Sequence, residues 1–169
     1  MPIWKITDEG PSKVPETKLE QEKLLEEKLE DWIAKDPSLL GESLMIIDRQ
    51  VRIVDVGDRL DILALDPQGN AVIVELKRGE LTDPVDMQAL RYTGYISEWE
   101  FEDFENQARK YLGKSADPDF NFNEEYEKFC AGEGIDEPPD LNPDQRLIIV
   151  GSEVRENSAM SPCGCGTTA

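Results

Sequence analysis

The chain has 169 residues, enough for one core and too few for two domains of ordinary size. Its 37 acidic and 18 basic residues give a net charge of −19, so the overall field repels polyphosphate, and contact with nucleic acid needs a local basic patch or bound cations. The absence of histidine excludes Ser-His-Asp and Cys-His nucleophile systems and histidine-containing zinc sites, leaving proton transfer and metal binding to carboxylates, Lys and Tyr.

Residues 1–16, with Pro2, Pro11 and Pro15, read as an extended lead-in without the pattern of a secretion signal. Thr17-Lys18-Leu19-Glu20 offers a capping box for a helix running to about Lys35, with Leu25, Leu29, Trp32 and Ile33 on one face. Asp36-Pro37 ends it, because the proline ring disfavours helical backbone at the residue before it. Leu44–Ile47 and Val51–Val54 are short β-prone runs, followed by a turn over Asp55–Asp58. RLDILALD, 59–66, and AVIVELK, 71–77, flank Pro67-Gln68-Gly69-Asn70, and a three-residue loop with Gly69 left-handed makes them a tight antiparallel hairpin.

A helix from Asp83 or Pro84 to about Trp99 carries Val85, Gln88, Tyr92, Tyr95 and Ile96 near one face. Helices over 101–112 and 122–130, a loop over 132–144 and a strand at 145–150 follow. Residues 153–169 read as a disordered tail, so the domain spans 17–152, with an acidic insertion at about 100–144. Cys130, Cys163 and Cys165 form no disulfide framework and suit a reducing compartment. No apolar run has membrane-spanning length, and a cytoplasmic protein is expected.

A three-residue loop pairs Asp66 with Asn70 and therefore sets Asp61 opposite Glu75. The period of two puts Asp61, Glu75 and Lys77 on one face with Leu63, Leu65 and Ile73, and Leu60, Ile62, Ala64, Val72, Val74 and Leu76 on the other. Both faces are mostly apolar, so the hairpin belongs in the centre of a sheet with helices on each side. Two carboxylates facing one another there repel and lose hydration. Either Lys77 neutralises them as a half-exposed ion pair worth about 0–1 kcal/mol, or Asp61, Glu75 and the Leu76 carbonyl hold Mg²⁺ or Mn²⁺, with Lys77 beside an attacking water and an attacked phosphate.

Asp61, then Glu75-Leu76-Lys77, followed by Gln88 on the next helix, resembles the active-site signature of the PD-(D/E)XK nuclease superfamily. Within it, GDRLDILALDPQGNAVIVELKRG and QALRY are most similar to the catalytic domain of the NucS/EndoMS endonucleases, and EEKLEDWIAKDPSLLG resembles that family's leading helix. The resemblance covers roughly residues 19–100. It implies a restriction-endonuclease-like α/β fold, a mixed sheet with a central antiparallel hairpin flanked by helices, and divalent-metal-dependent cleavage of DNA.

In that reading Asp61 and Glu75 bind the cation and Lys77 assists the water. Glu26 joins the site, ahead of Glu22, Glu27 and Glu30, and Gln88 and Tyr92 orient ligands or contact the backbone. Arg49, Arg52, Arg59, Arg78 and Arg91 are the candidate DNA phosphate contacts. The family's additional N-terminal domain has no counterpart in this sequence, and after QRLIIVGSEV the family's next helix and strand are replaced by small residues, as expected of a truncated chain, a divergent one, or a region completed by a homodimer or a partner protein. The rival readings are a nuclease-fold binding or regulatory module that does not cut, and an acidic protein-interaction domain with no divalent site.

Overall fold

The computed structural model describes residues 3–8, 10–15, 26–53, 57–77, 83–113 and 119–151, excluding the side chains of 83–88. The expected capping box at 17–20, the turn residues Asp55 and Val56 and the tail from 153 lie outside the described residues. Instead of a featureless lead-in, the N-terminal segment forms a two-stranded hairpin, β1 (Trp4–Thr7) and β2 (Gly10–Lys13). Gly10 has φ +119, and Thr7 Oγ1 donates to the Gly10 carbonyl across the turn.

Helix α1 (Glu26–Lys35) ends where Asp36-Pro37 dictates, and the Asp36 carboxylate accepts the Ser38 N–H of the 3-10 turn that follows. Ile33 is buried and Leu29 packs beside it, four residues apart on one stripe. Trp32, expected in that stripe, is 45% exposed, since its position lies about 100° around the helix from Ile33.

Strands β3 (Met45–Ile53), β4 (Asp58–Leu65), β5 (Ala71–Leu76) and β6 (Gln145–Val150) form one mixed sheet in the order β3-β4-β5-β6. The two short runs expected before the hairpin are thus one strand, with an irregularity between Ile46 and Asp48. The β4–β5 hairpin has the register the loop length requires, Leu65 opposite Ala71 through Ile62 opposite Val74, and Gly69 has φ +83. Strand β6 runs parallel to β5, which demands a long crossover. It consists of α2 (Asp83–Ile96), α3 (Phe101–Leu112) and α4 (Phe122–Gly132).

The two sheet faces carry separate cores. Ile62, Ala64, Val72, Val74 and Leu76 pack under Ile33 of α1. Leu63, Leu65 and Ile73 pack under Tyr92 and Ile96 of α2, Phe104 and Ala108 of α3, and Phe122, Tyr126 and Cys130 of α4. The acidic segment from 100 to 144 therefore contributes to this second core through Phe104, Ala108, Phe122, Tyr126 and Cys130. Leu60, expected beside Ile62, joins the second core instead. The change of face falls at Asp61, where the β4–β5 ladder has ended and the β3 residue in register, Gln50, has a left-handed backbone.

At the far end, Arg146 of β6 bonds Glu42 and the buried Asp66, tying the edge strand to the hairpin turn. No described helix is long and apolar enough to cross a membrane.

Candidate active site

The hairpin delivers Glu75 into the sheet interior, 1% exposed, with Oε1 3.0 Å from Lys77 Nζ. Its other oxygen, Oε2, is buried and has no hydrogen-bond partner among the described residues. Burial, with the neighbouring Asp61 charge added, pushes the Glu75 carboxyl up to about 7 against the opposing pull of Lys77. Burial alone would lower the Lys77 ammonium, but Glu75, Asp61 and Glu26 together outweigh it and raise it. Lys77 is therefore a fixed positive donor and a poor proton acceptor at neutral pH.

Asp61 stands where the β4–β5 ladder stops. Its Oδ2 accepts the Leu76 N–H at 2.8 Å and its Oδ1 accepts Gln50 Nε2 at 3.1 Å. Burial raises its pKa, while the Leu76 bond and the Lys77 charge act the other way. Beyond Asp61 a cleft of about 450 Å³ opens against α1, lined by Glu26, Glu27, Glu30, Arg49 and Gln50. Glu30 is 5% exposed and accepts Arg49 Nε at 2.7 Å and Gln50 Nε2 at 2.9 Å.

Residues 25–109 match the family described as the endonuclease NucS C-terminal domain. The chain belongs to that family. No curated protein matches it. Among solved structures, it is similar to a repair endonuclease from Pyrococcus abyssi, at 17% identity and a TM-score of 0.46, over 87% of this chain and 46% of that one. It is also similar to a structure described as an EndoMS–dsDNA2 complex, at 15% identity and a TM-score of 0.43, over 84% of this chain and 48% of that one. The chain spans about half the length of either.

Within this NucS-family domain the sequence-derived residues fall into distinct positions. Asp61, Glu75 and Lys77 converge as the hairpin register requires, and Glu26, exposed at the start of α1, lies close enough to act electrostatically on Asp61 and Lys77. Tyr92 is wholly buried and donates its hydroxyl to the Arg59 carbonyl, two residues from Asp61; it braces the strand from within the core and does not face the cleft. The Gln88 side chain and Arg78 lie outside the described residues.

Arg49 is committed to Glu30 and Asp31, the latter at 2.7 Å. Arg52 and Arg59 are exposed and directly opposite one another on β3 and β4, and Arg91 is exposed on α2. Gln50 was not among the sequence-derived residues. Its signal is non-local: continuing the β3–β4 register places it opposite Asp61.

Two carboxylates, one with a buried oxygen lacking a partner among the described residues, form a hard oxygen donor set that suits Mg²⁺ or Mn²⁺. The Leu76 carbonyl lies on the same strand edge as its N–H, toward Asp61, and can add a third oxygen. No group of three or more His, Cys, Asp or Glu side chains spaced to hold a metal occurs among the described residues, so main-chain oxygen and water would complete the shell.

Proposed function

We propose that this chain is the catalytic domain of a divalent-metal-dependent DNA endonuclease of the PD-(D/E)XK superfamily. The observation that carries the reading is Glu75 Oε2, a buried carboxylate oxygen without a hydrogen-bond partner among the described residues, beside Asp61 and Lys77. An ionised carboxylate so buried is costly, and Lys77 offsets the cost only in part, so that a proton or a cation relieves the remainder. Membership of the endonuclease NucS C-terminal domain family supports the same chemistry.

Asp61, Glu75 and the Leu76 carbonyl would hold Mg²⁺ or Mn²⁺. When bound, such a cation makes water a stronger nucleophile at neutral pH and neutralises charge on the attacked phosphate. Lys77, held charged by Glu75, would offer a donor at the same place, orienting the attacking water and stabilising negative charge on the phosphoryl oxygens. Glu26, on the opposite wall, would bind the shell through water. Arg52 and Arg59, facing one another across β3 and β4, would hold a DNA phosphate between their guanidiniums, which offsets their mutual repulsion and the unfavourable net charge of −19. Arg91 would contact a neighbouring phosphate.

The test is cleavage of single-stranded, branched and mismatched DNA with Mg²⁺, Mn²⁺ or chelator. Metal-dependent cutting that Glu75→Ala and Lys77→Ala abolish without unfolding supports the reading, and wild-type cutting indifferent to chelator removes it. The charge of −19 favours a second reading, a nuclease-fold binding or regulatory module that does not cut. That reading is supported if wild-type protein binds Mn²⁺ and leaves every substrate intact.

A further inference from the structure

We propose that Gln50 is a positioning residue for the carboxylate pair, its side-chain amide holding Asp61 against the Leu76 N–H so that the pair stands ready for a divalent cation. The proposal rests on reading Asp61 and Glu75 as a cation site. Gln50 has φ +53 inside β3, a left-handed backbone that an L side chain adopts at a cost of about 1 kcal/mol or more. Such a conformation persists only where surrounding contacts compensate for it.

Its consequence is visible in the contacts. Consecutive residues of a regular strand point to opposite faces. Arg49 and Gln50 nevertheless both reach Glu30 of α1. The kink thus brings the Gln50 amide over Asp61, where its two N–H groups are shared between Glu30 Oε2 at 2.9 Å and Asp61 Oδ1 at 3.1 Å. Glu30 is itself fixed by Arg49, so the amide is tied at its far end. Asp61 is then gripped at both oxygens, by Gln50 on β3 and by the Leu76 N–H on β5.

The residue type matters as much as the geometry. Each carboxylate oxygen has two lone pairs, so one hydrogen bond apiece leaves both Asp61 oxygens able to accept a cation. A Lys or Arg in place of Gln50 would compete with that cation for the same charge. A carboxylate would repel both Glu30 and Asp61. A neutral amide donor orients Asp61 while leaving its charge available.

Gln50→Gly removes the amide and suits a left-handed backbone, and Gln50→Asn keeps an amide on a side chain one methylene too short while tolerating the same backbone. Hydrogen exchange of the metal-free protein should show the Leu76 amide exchanging about tenfold faster in both variants, relative to the Ile73 and Val74 amides of the same strand. Mn²⁺ titration calorimetry should show affinity weakened about tenfold or more. A Leu76 amide as protected in Gln50→Gly as in wild type, or an unaltered Mn²⁺ affinity, overturns the proposal. Wild-type protein that binds no Mn²⁺ refutes the cation-site reading separately; Leu76 exchange still decides whether Gln50 holds Asp61.

Discussion

Glu75→Gln should make the metal-free protein more stable at alkaline pH while removing its divalent site. The folded chain keeps the Glu75 proton up to about pH 7 against an ordinary 4.5, because burial and the Asp61 charge oppose ionisation. The unfolded chain releases that proton near the ordinary value, so ionisation works against folding, and wild-type stability should fall as pH rises from about 5 to 8. At 1.36 kcal/mol per tenfold change in acidity, the penalty reaches about 3 kcal/mol for a side chain 1% exposed. The uncharged amide of the Glu75→Gln protein escapes that penalty, and the pull of Lys77 is already contained in the Glu75 value of about 7.

The gain of about 3 kcal/mol corresponds to about 6–12 °C in melting temperature for a domain of this size. Circular-dichroism melts of both proteins in chelator, at about pH 5 and pH 8, measure it. The two should differ least at pH 5, where the folded wild type keeps the Glu75 proton, and diverge in favour of Glu75→Gln at pH 8. A wild-type melting temperature that rises between those pH values, or a Glu75→Gln protein destabilised at pH 8, would refute the reasoning.

Divalent binding should show the complementary dependence: Mn²⁺ competes with the Glu75 proton, so the rise in melting temperature produced by a fixed Mn²⁺ concentration should be larger at pH 8 than at pH 5, read by the same melts. Gly69→Ala should cost about 2 kcal/mol or more in urea unfolding, because an added Cβ would sit 2.3 Å from the Asp140 carbonyl oxygen and the backbone there has φ +83. Tyr92→Phe should cost about 1 kcal/mol in urea unfolding by removing the bond to the Arg59 carbonyl, with Mn²⁺ affinity unchanged in calorimetry, since Tyr92 braces β4 from the core and does not face the cleft.

What the sequence disclosed was local. The Pro67-Gln68-Gly69 loop fixes its own length, and length fixes register, so Asp61 opposite Glu75 follows by counting. Asp36-Pro37 stops α1 for reasons confined to two residues. Features that depend on distant partners were not legible. The left-handed backbone at Gln50 is sustained by Glu30 on α1 and Asp61 on β4, neither adjacent in the chain. Arg49 reads as a free cation until α1 presents Glu30 and Asp31 to it. The helices α3 and α4 read in the sequence as an acidic insertion, and Phe104, Phe122 and Tyr126 from them close one side of the core. Tyr92 sits at active-site spacing from Gln88 but is drawn inward, because a large aromatic under the sheet gains more from burial than from facing a wet cleft.

A crystal soaked in Mn²⁺, with diffraction recorded for anomalous scattering, tests the paired-carboxylate claim without requiring a substrate. The expected result is one anomalous peak about 2.0–2.3 Å from Glu75 Oε2 and from an Asp61 oxygen, with Lys77 alongside. A fully soaked crystal with no peak between those two side chains, or with manganese only at surface carboxylates, would contradict it.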